Sequence, residues 1–339
     1  MTRPTCQRGF SLIELLIAIG ILSVLMAAVF TTFSTQMRLN TREYRIGESE
    51  IELGIVKKLI ERDVVLAGYG LADNYAGTGF NPQSVSSTGT TLTLRGTAPA
   101  LTDRAPVAWT YALTGTPTFR TWLDSREDLQ ANANAVLLEP NTGQILTQNG
   151  AGNWKFKFVD AGNTPRLVSD NSAWTNPVLG TVVYGVHPGA TEPFAAITYQ
   201  RDLATASPSS CNAGTRNLIR TEAWTGVAST SIPLLSCVLA FQTALGLDGN
   251  EDGLIDVWDS TGATAGGYTA AQLKKRVKQV RVYVLIQNGN RDAAYTYPAA
   301  TVRVGDAGLG IGADIALSAE QRRFPWRLVS IDVTPRNMR

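Results

Sequence analysis

The residues best suited to chemistry lie in the stretch "DGNEDGLIDVWD", residues 248–259. Oxygen-bearing side chains recur at loop positions 1, 3, 5, 9 and 12, and a backbone carbonyl is available at position 7: Asp248, Asn250, Asp252, Asp256, Asp259 and Leu254. Gly253 stands at position 6, where a calcium loop must turn sharply. Because calcium prefers oxygen ligands, the spacing predicts a structural calcium site formed by these six residues. The alternative interpretation is an acidic surface turn.

A second chemical feature is the carboxylate of Glu14, which lies inside the apolar run from Phe10 to Phe33. As a helix rising about 1.5 Å per residue, this run is long enough to cross a hydrocarbon core of about 30 Å. An acidic side chain costs about 2.5 to 3.5 kcal/mol at the centre of a membrane helix, so it tends to persist only with a partner. The simpler interpretation is that Glu14 lies near the membrane surface and reaches water.

The chain has three cysteines, Cys6, Cys211 and Cys237. An apolar N-terminal anchor would place most of the chain outside the cytoplasm, where oxidising conditions favour disulfides. We therefore expect Cys211 and Cys237 to be joined, which would stabilise the fold by about 3 kcal/mol in the chain-entropy model. The alternative is two buried thiols that never meet.

No catalytic pattern is visible in the sequence. The one histidine, His187, stands alone, and we find no nucleophile elbow, phosphate-binding loop or zinc-ligand spacing. The net charge of +2 offers no concentrated basic surface for general nucleic-acid binding. We therefore expect neither an enzyme nor a nucleic-acid-binding protein.

The elements that must position these residues begin with one long helix. Apolar residues continue past Phe33 in two rows, which we expect to lie side by side. The members of the first row recur every seven or four positions: Met37, Tyr44, Ile51, Ile55 and Leu59. The members of the second recur every seven positions: Ile46, Leu53 and Ile60. Charged residues fill most of the positions between them, a pattern typical of an amphipathic helix. We predict a helix over residues 10–67, with 10–34 in a membrane or filament core, ending near Gly68.

Residues 68–339 are predicted to form a β-rich head of one or two subdomains. Alternating or apolar runs bounded by turn residues predict strands at "TTLTLRG", "NWKFKFVD", "GTVVYGV", "AAITYQRD", "NLIRTEAW", "VKQVRVYVLIQNGN" and "LVSIDVTPRN". Thr269 and Gln272 predict a capping box that starts a short helix. The expected fold class is therefore α+β, a long N-terminal α-helix followed by a β-rich globular head.

The stretch "RGFSLIELL" resembles the type IV prepilin signature, with the match running from Gly9 to Leu16. The resemblance implies that a membrane prepilin peptidase removes the leader, residues 1–9, by cutting between Gly9 and Phe10. It implies that the new N-terminus is then methylated, and that Glu14 pairs with the terminal amine of a neighbouring subunit. Removal of the leader would also remove Cys6 and leave an even pair of cysteines.

Two further stretches are similar to the large minor pilins of the PilW type: "IERDVVLAGYG" at 60–70 and "RRFPWRLVSIDVTPRN" at 322–337. The resemblance implies a pilin-like head and a structural or priming role in the tip or initiation complex of a type IV pilus. The implied partners are other minor pilins, the major pilin and a tip adhesin. The chain would first span the inner membrane with its basic leader in the cytoplasm and its head in the periplasm, and would then enter the extracellular pilus.

Two other interpretations remain open at the level of sequence. A minor pseudopilin of a type II secretion system shares the same N-terminal chemistry, so residues 9–34 do not separate it from a pilin. A membrane-tethered ligand-binding protein or enzyme would share the anchor, although the amphipathic continuation and Glu14 favour an assembly role.

Overall fold

The structure is a computed structural model. It describes residues 11–97, 108–113, 119–124, 128–148, 152–158, 166–170, 172, 174, 178–205 and 207–338, except for five side chains between residues 38 and 48. Contacts divide the chain into two units, Met1–Ile51 and Glu52–Arg339. Gly9 and Phe10, the predicted cleavage site, lie outside the described residues.

The helix α1 runs from Leu12 to Leu66. It ends where two glycines adopt the left-handed conformation that other residues rarely accept, at φ 82° for Gly68 and φ 68° for Gly70. A side chain at Gly70 would place its Cβ 2.1 Å from Oγ1 of Thr97. The turn therefore needs glycine both for its backbone angle and for close packing against Thr97.

The described residues after α1 contain fifteen strands and two further short α-helices. The strands are β1 (Val85–Ser87), β2 (Thr91–Gly96), β3 (Trp109–Tyr111), β4 (Ala133–Leu138), β5 (Phe156–Phe158), β6 (Arg166–Leu167), β7 (Val182–Val186), β8 (Ala195–Arg201), β9 (Arg216–Trp224), β10 (Thr230–Leu247), β11 (Val257–Asp259), β12 (Val277–Gln287), β13 (Thr301–Asp306), β14 (Ile311–Ala316) and β15 (Trp326–Val333). The helices are α2 (Ala263–Gly266) and α3 (Ala270–Arg276), and a 3-10 turn spans Gln321–Arg323.

The main sheet has eight strands in the order β1-β2-β8-β9-β10-β12-β15, with β11 paired to β10. A second, five-stranded sheet has the order β3-β7-β4-β5-β6, and β13 and β14 form a separate hairpin. The long helix followed by a β-rich head confirms the predicted fold class.

The main core lies between α1 and one face of the main sheet. Leu53, Val56, Ile60 and Val64 of α1 are each at most 7% exposed and pack with the apolar side chains of the central strands. The expectation of two rows side by side is wrong, because Leu53 and Ile60 are buried while Ile51 and Ile55 are 68% and 62% exposed. One face of this part of α1 therefore packs on the head and another faces solvent.

Each stretch predicted as a strand contains one, and Thr269 and Gln272 form the predicted capping box at the start of α3. The strand predictions missed β10, the longest strand of the head, together with β4, the β13–β14 hairpin and the short strands β1, β3, β6 and β11.

Candidate functional site

The first turn of α1 is closed by its own side chains. The Glu14 carboxylate accepts a hydrogen bond from the backbone N–H of Ser11 at 3.0 Å, and the Ser11 hydroxyl accepts one from the backbone N–H of Glu14 at 3.3 Å. This is a capping box, and a negative charge at a helix N-terminus is also favoured by the helix dipole. Glu14 therefore has a role within its own helix, beside the intermolecular pairing that the resemblance implies.

Residues Leu12–Met37 form a helical segment that is long and apolar enough to cross a membrane, and none of its most apolar window is buried in the protein. Its hydroxyl groups are satisfied by the helix itself. Ser23 donates to the carbonyl of Ile19 at 2.7 Å, and both Thr31 and Thr32 donate to that of Ala28. These side chains therefore add little cost in an apolar environment, which leaves Glu14 as the one ionisable group between Leu12 and Met37.

The next part of α1 carries an exposed apolar stripe at heptad spacing, which we define as Met37, Tyr44 and Ile51. These side chains are 56%, 71% and 68% exposed. Apolar residues repeated every seven positions are the pattern by which one helix packs along another. The stripe thus gives α1 a surface suited to a neighbouring helix.

The C-terminal part of α1 is fixed to the main sheet by a buried ionic cluster, which sequence reasoning missed. The Asp63 carboxylate, fully buried, accepts hydrogen bonds at Oδ2 from Arg220 Nε at 2.7 Å and from the Tyr199 hydroxyl at 2.6 Å. Its Oδ1 accepts from Arg62, and Arg220 also reaches Glu222 at 3.3 Å. Arg220 is only 2% exposed, so α1, β8 and β9 meet at an ion pair removed from water.

This cluster perturbs the groups around Asp63. Burial and the adjacent Asp63 carboxylate raise the pKa of Tyr199. Burial alone would lower the pKa of Arg220, but the ion pair with Asp63 outweighs it and raises that pKa. Tyr199 therefore remains a neutral donor and Arg220 a cation at any physiological pH. The signal in the sequence was an acid directly before the apolar run of "IERDVVLAG". Such a short pattern does not identify a partner 157 positions away.

The predicted calcium loop forms the turn between β10 and β11. Asp248 accepts hydrogen bonds from the backbone N–H groups of Asp252 at 3.1 Å and Gly253 at 2.8 Å. Asp252 accepts from Leu254 N–H at 2.8 Å, and Asp256 from Gly249 N–H at 2.8 Å. These bonds tie the loop together around its first residue.

The structure departs from the predicted ligand set at Asp259. Asp259 is paired with Leu245 in the β10–β11 ladder. Leu245 precedes Asp248 by three residues, which is about 10 Å of extended chain. The two carboxylate oxygens of Asp259 accept from the backbone N–H groups of Thr261, Gly262 and Ala265, so Asp259 caps the next turn instead. Its pKa is lowered, because these donors outweigh the opposing effect of burial.

Lysine and arginine already offset part of the loop's negative charge. Lys278 Nζ lies 3.3 Å from Asp248 Oδ2, and Arg276 Nε lies 3.2 Å from Glu251 Oε1. Burial opposes ionisation of Asp248, but the Gly253 amide and Lys278 together lower its pKa. Within the described ranges, no three His, Cys, Asp or Glu side chains are arranged to hold a metal ion. The donor set is chemically suited to calcium, but Asp248 would have to exchange Lys278 for the cation.

Cys211 and Cys237 are joined by a disulfide with a Cα–Cα distance of 5.1 Å. Cys237 lies in β10 at an irregularity in its pairing with β9 and has a positive φ of 57°. Gln287 supports the same loop, because its side chain accepts from Asn212 N–H at 2.7 Å and donates to the carbonyl of Ser210 at 3.1 Å. The disulfide thus fastens the segment before β9 to the centre of the main sheet.

The lone His187 has a structural contact. Its Nδ1 accepts a hydrogen bond from the backbone N–H of Gly189 at 3.0 Å, and its ring centre lies 6.2 Å from that of Trp224. It therefore supports the turn after β7.

Comparison with known proteins identifies the amino-terminal segment. The prokaryotic N-terminal methylation motif matches residues 4–30, which is under a tenth of the chain. No curated protein matches the chain. Among solved structures, a type IV-like pilin, TTHA1219 from Thermus thermophilus, aligns with 85% of this chain and 96% of its own, at 13% identity and a TM-score of 0.29. That likeness is too distant to carry an argument, whereas the motif match shows a prokaryotic N-terminal methylation motif at the start of the chain.

Proposed function

We propose that the protein is a filament subunit, a minor pilin of the PilW type that acts in the tip or priming complex of a type IV pilus. A peptidase would remove the leader between Gly9 and Phe10. The observation that carries the proposal is the exposed apolar surface of α1, Leu12–Met37, most of which lies within the methylation motif at residues 4–30.

The apolar segment must be covered wherever the protein resides. Its large side chains are exposed, for example 78% at Leu12 and 72% at Phe30, and each gains about 1.5 to 3 kcal/mol when fully buried. A bilayer can cover them before assembly, and the same helices of neighbouring subunits can cover them afterwards. The stripe begins at Met37, the end of the membrane-crossing segment, and Tyr44 and Ile51 extend it beyond that segment, where lipid would not cover them. A permanent lipid anchor would not need that stripe, whereas a filament subunit would.

The head would determine which subunits the protein joins. Buried Asp63 and Arg220 attach the C-terminal part of α1 to the main sheet, so contacts made by the head would be transmitted to that part of the helix. We propose other minor pilins, the major pilin and a tip adhesin as partners. The proposed route leads from the inner membrane, with the head in the periplasm, to the extracellular pilus.

The role of Glu14 is tested by three substitutions in the native cells. Glu14→Ala and Glu14→Leu remove both the charge and the capping box, whereas Glu14→Gln removes the charge alone, because glutamine also closes a capping box. If Glu14 pairs with the amine of a neighbouring subunit, all three variants are cleaved normally and are incorporated at least about tenfold less into sheared filaments, a difference of about 1.4 kcal/mol. Wild-type incorporation of Glu14→Gln would show that Glu14 acts only within its own helix.

The system to which the subunit belongs is tested by co-purification. Recovery with minor pilins and an adhesin, together with a piliation defect on deletion, is the expected result. Recovery with secretion-system components, together with a secretion defect, would assign it as a pseudopilin of a type II secretion system.

We also propose a structural calcium ion in the loop 248–256, bound by Asp248, Asn250, Asp252, the Leu254 carbonyl and Asp256. Extracellular sites of this kind bind at about 10⁻⁴ to 10⁻³ M. Calorimetry on a fragment beginning near residue 35 should give heat with millimolar calcium. Asp252→Asn should abolish it, whereas Asp292→Asn, outside the loop, should not. No heat and no thermal shift in the wild type would remove the site.

A further inference from the structure

The two ends of the main sheet differ in how they are protected. At one end β1 has only three residues, and the start of α2 approaches it so closely that a Cβ on Gly262 would lie 1.8 Å from the Ser87 carbonyl oxygen. At the other end β15 spans eight residues, Trp326–Val333, and among the described residues it pairs with β12 alone. One edge of the sheet is therefore blocked and the other is open.

The pairing of β15 shows which of its main-chain groups point outwards. Asn288 N–H donates to the Pro325 carbonyl at 2.8 Å, which continues the β12–β15 register one step beyond Gln287 and Trp326. In an antiparallel ladder hydrogen-bonded pairs alternate, so residues 327, 329, 331 and 333 bond to β12. The N–H and C=O groups of the even-numbered residues 326, 328, 330 and 332 point away from the sheet. In the described chain, these groups at Leu328, Ser330 and Asp332 have no hydrogen-bond partner, and all three residues are exposed.

The edge lacks most of the features that normally prevent strand addition. Its pairing with β12 shows no bulge, and its sequence, "WRLVSIDV", contains neither proline nor lysine. Its charged residues are Arg327 and Asp332, and Asp332 is paired with Arg281 at 3.1 Å. The other free edges among the described residues are shorter or interrupted. Each strand of the β13–β14 hairpin has six residues, and β1, β3, β6 and β11 have at most three. The first part of β10, residues 230–237, pairs within the described chain only with β9 and contains Pro233 and a register shift. An unguarded straight edge of this length is an acceptor for another strand.

We propose that β15 accepts an extended segment of a neighbouring subunit, which adds to the main sheet as its next strand. This inference rests on the proposed function, since it names the contact by which the head would join its partner. The alternating N–H and C=O groups fit an extended backbone and would not fit a helix, whose own groups are already paired. On the side of the core, the added strand would continue the apolar layer of Val329, Ile331 and Val333, of which Val329 is only partly buried. The donor segment should therefore carry apolar residues at alternate positions on that side.

Amide hydrogen exchange of the full chain, in detergent and in filaments sheared from native cells, tests the proposal directly. The amides of Leu328, Ser330 and Asp332 should exchange quickly in the free chain and slow by at least about a hundredfold in filaments. The odd-numbered amides of β15 serve as an internal control, because they bond to β12 in both states. If the protein is present in filaments and the even-numbered amides exchange as fast as in the free chain, the strand addition is wrong while the proposed function stands. Absence of the protein from filaments would contradict the proposed function itself.

A substitution at the centre of the edge provides a second test. Ser330→Pro removes an outward N–H without removing a bond to β12, whereas the control Ser330→Thr keeps the donor and is compatible with a strand. Incorporation into filaments should fall about tenfold for the proline variant and stay at the wild-type level for threonine. Wild-type incorporation of a folded Ser330→Pro protein would overturn the proposal. If the proline variant does not fold, the exchange experiment alone decides.

Discussion

Removal of the Asp63 carboxylate should destabilise the head far more than any change on the solvent side of α1. In Asp63→Ala, Arg220 would remain 2% exposed without the partner that lies 2.7 Å from its Nε, and the Tyr199 hydroxyl would lose its acceptor. Breaking a buried ion pair by removing one partner costs about 3 to 5 kcal/mol, because an uncompensated charge is left behind. Glu222, at 3.3 Å from Arg220, offsets part of this loss, so we expect a value near the lower end.

The matched control is Glu61→Ala, two positions earlier on the same helix. Glu61 lies 3.9 Å from Lys57, and both side chains are substantially exposed, at 39% and 53%. Exposed pairs of this kind contribute about 0.3 to 0.5 kcal/mol. Both substitutions introduce alanine at a helical position, so the difference between them isolates the buried pair.

Thermal unfolding of the full chain in detergent measures the difference. For a unit of this size each kcal/mol shifts Tm by about 2 to 4 °C, so a loss of about 3 kcal/mol in Asp63→Ala should lower Tm by roughly 6 to 12 °C, and Glu61→Ala should lower it by under about 2 °C. The double variant Asp63→Leu/Arg220→Met should recover part of the loss, because apolar side chains can replace a buried ion pair. Equal shifts for the two single alanine variants would refute the account of Asp63.

Three further predictions follow from other parts of the chain. Ile51→Gln should lower incorporation into filaments several-fold without changing Tm, whereas Lys57→Gln, off the stripe, should leave incorporation unchanged; equal incorporation of the two variants counts against the stripe. Reduction of the Cys211–Cys237 disulfide should cost about 3 kcal/mol in chemical unfolding, and an unchanged midpoint would contradict this. The pKa of Asp259 is lower in the folded protein than in the unfolded chain. Its contribution to the free energy of unfolding is therefore fully present above the unfolded pKa of about 3.9, and it is lost as pH falls through the folded pKa. Stability measured from pH 5 to pH 2 should therefore fall less steeply in Asp259→Asn, and parallel curves would refute this.

Local patterns in the sequence were sufficient for the long helix and for the strands that alternate. In "NWKFKFVD", Trp154, Phe156 and Phe158 are buried while Lys157 is exposed, because this strand has one face on the core. The capping box of Thr269 and Gln272 was also visible, since both partners lie within one turn. These features depend on neighbours close in sequence.

β10 escaped prediction because both of its faces are covered. Phe241 and Leu245 face the core beneath α1, while Leu239 and Ala244 pack against the β13–β14 hairpin, so the strand reads as a continuous apolar run without alternation. The Asp63–Arg220 pair was invisible for a different reason. Its partners are brought together only by the packing of α1 on β9, and no local spacing records such a contact.

Asp259 shows the limit of a spacing argument. It stands at the twelfth position of the acidic stretch, yet the β10–β11 pairing carries it away from Asp248 and towards the start of α2. The sequence pattern counts positions along the chain, whereas a strand pairing determines where those positions lie in space.

The mature N-terminus shows whether the chain is trimmed before it exchanges lipid for neighbouring helices. Mass spectrometry of the protein from native filaments should find a first peptide that begins at Phe10 and carries one additional methyl group. A protein in filaments that still begins at Met1 would show that the chain assembles without being trimmed.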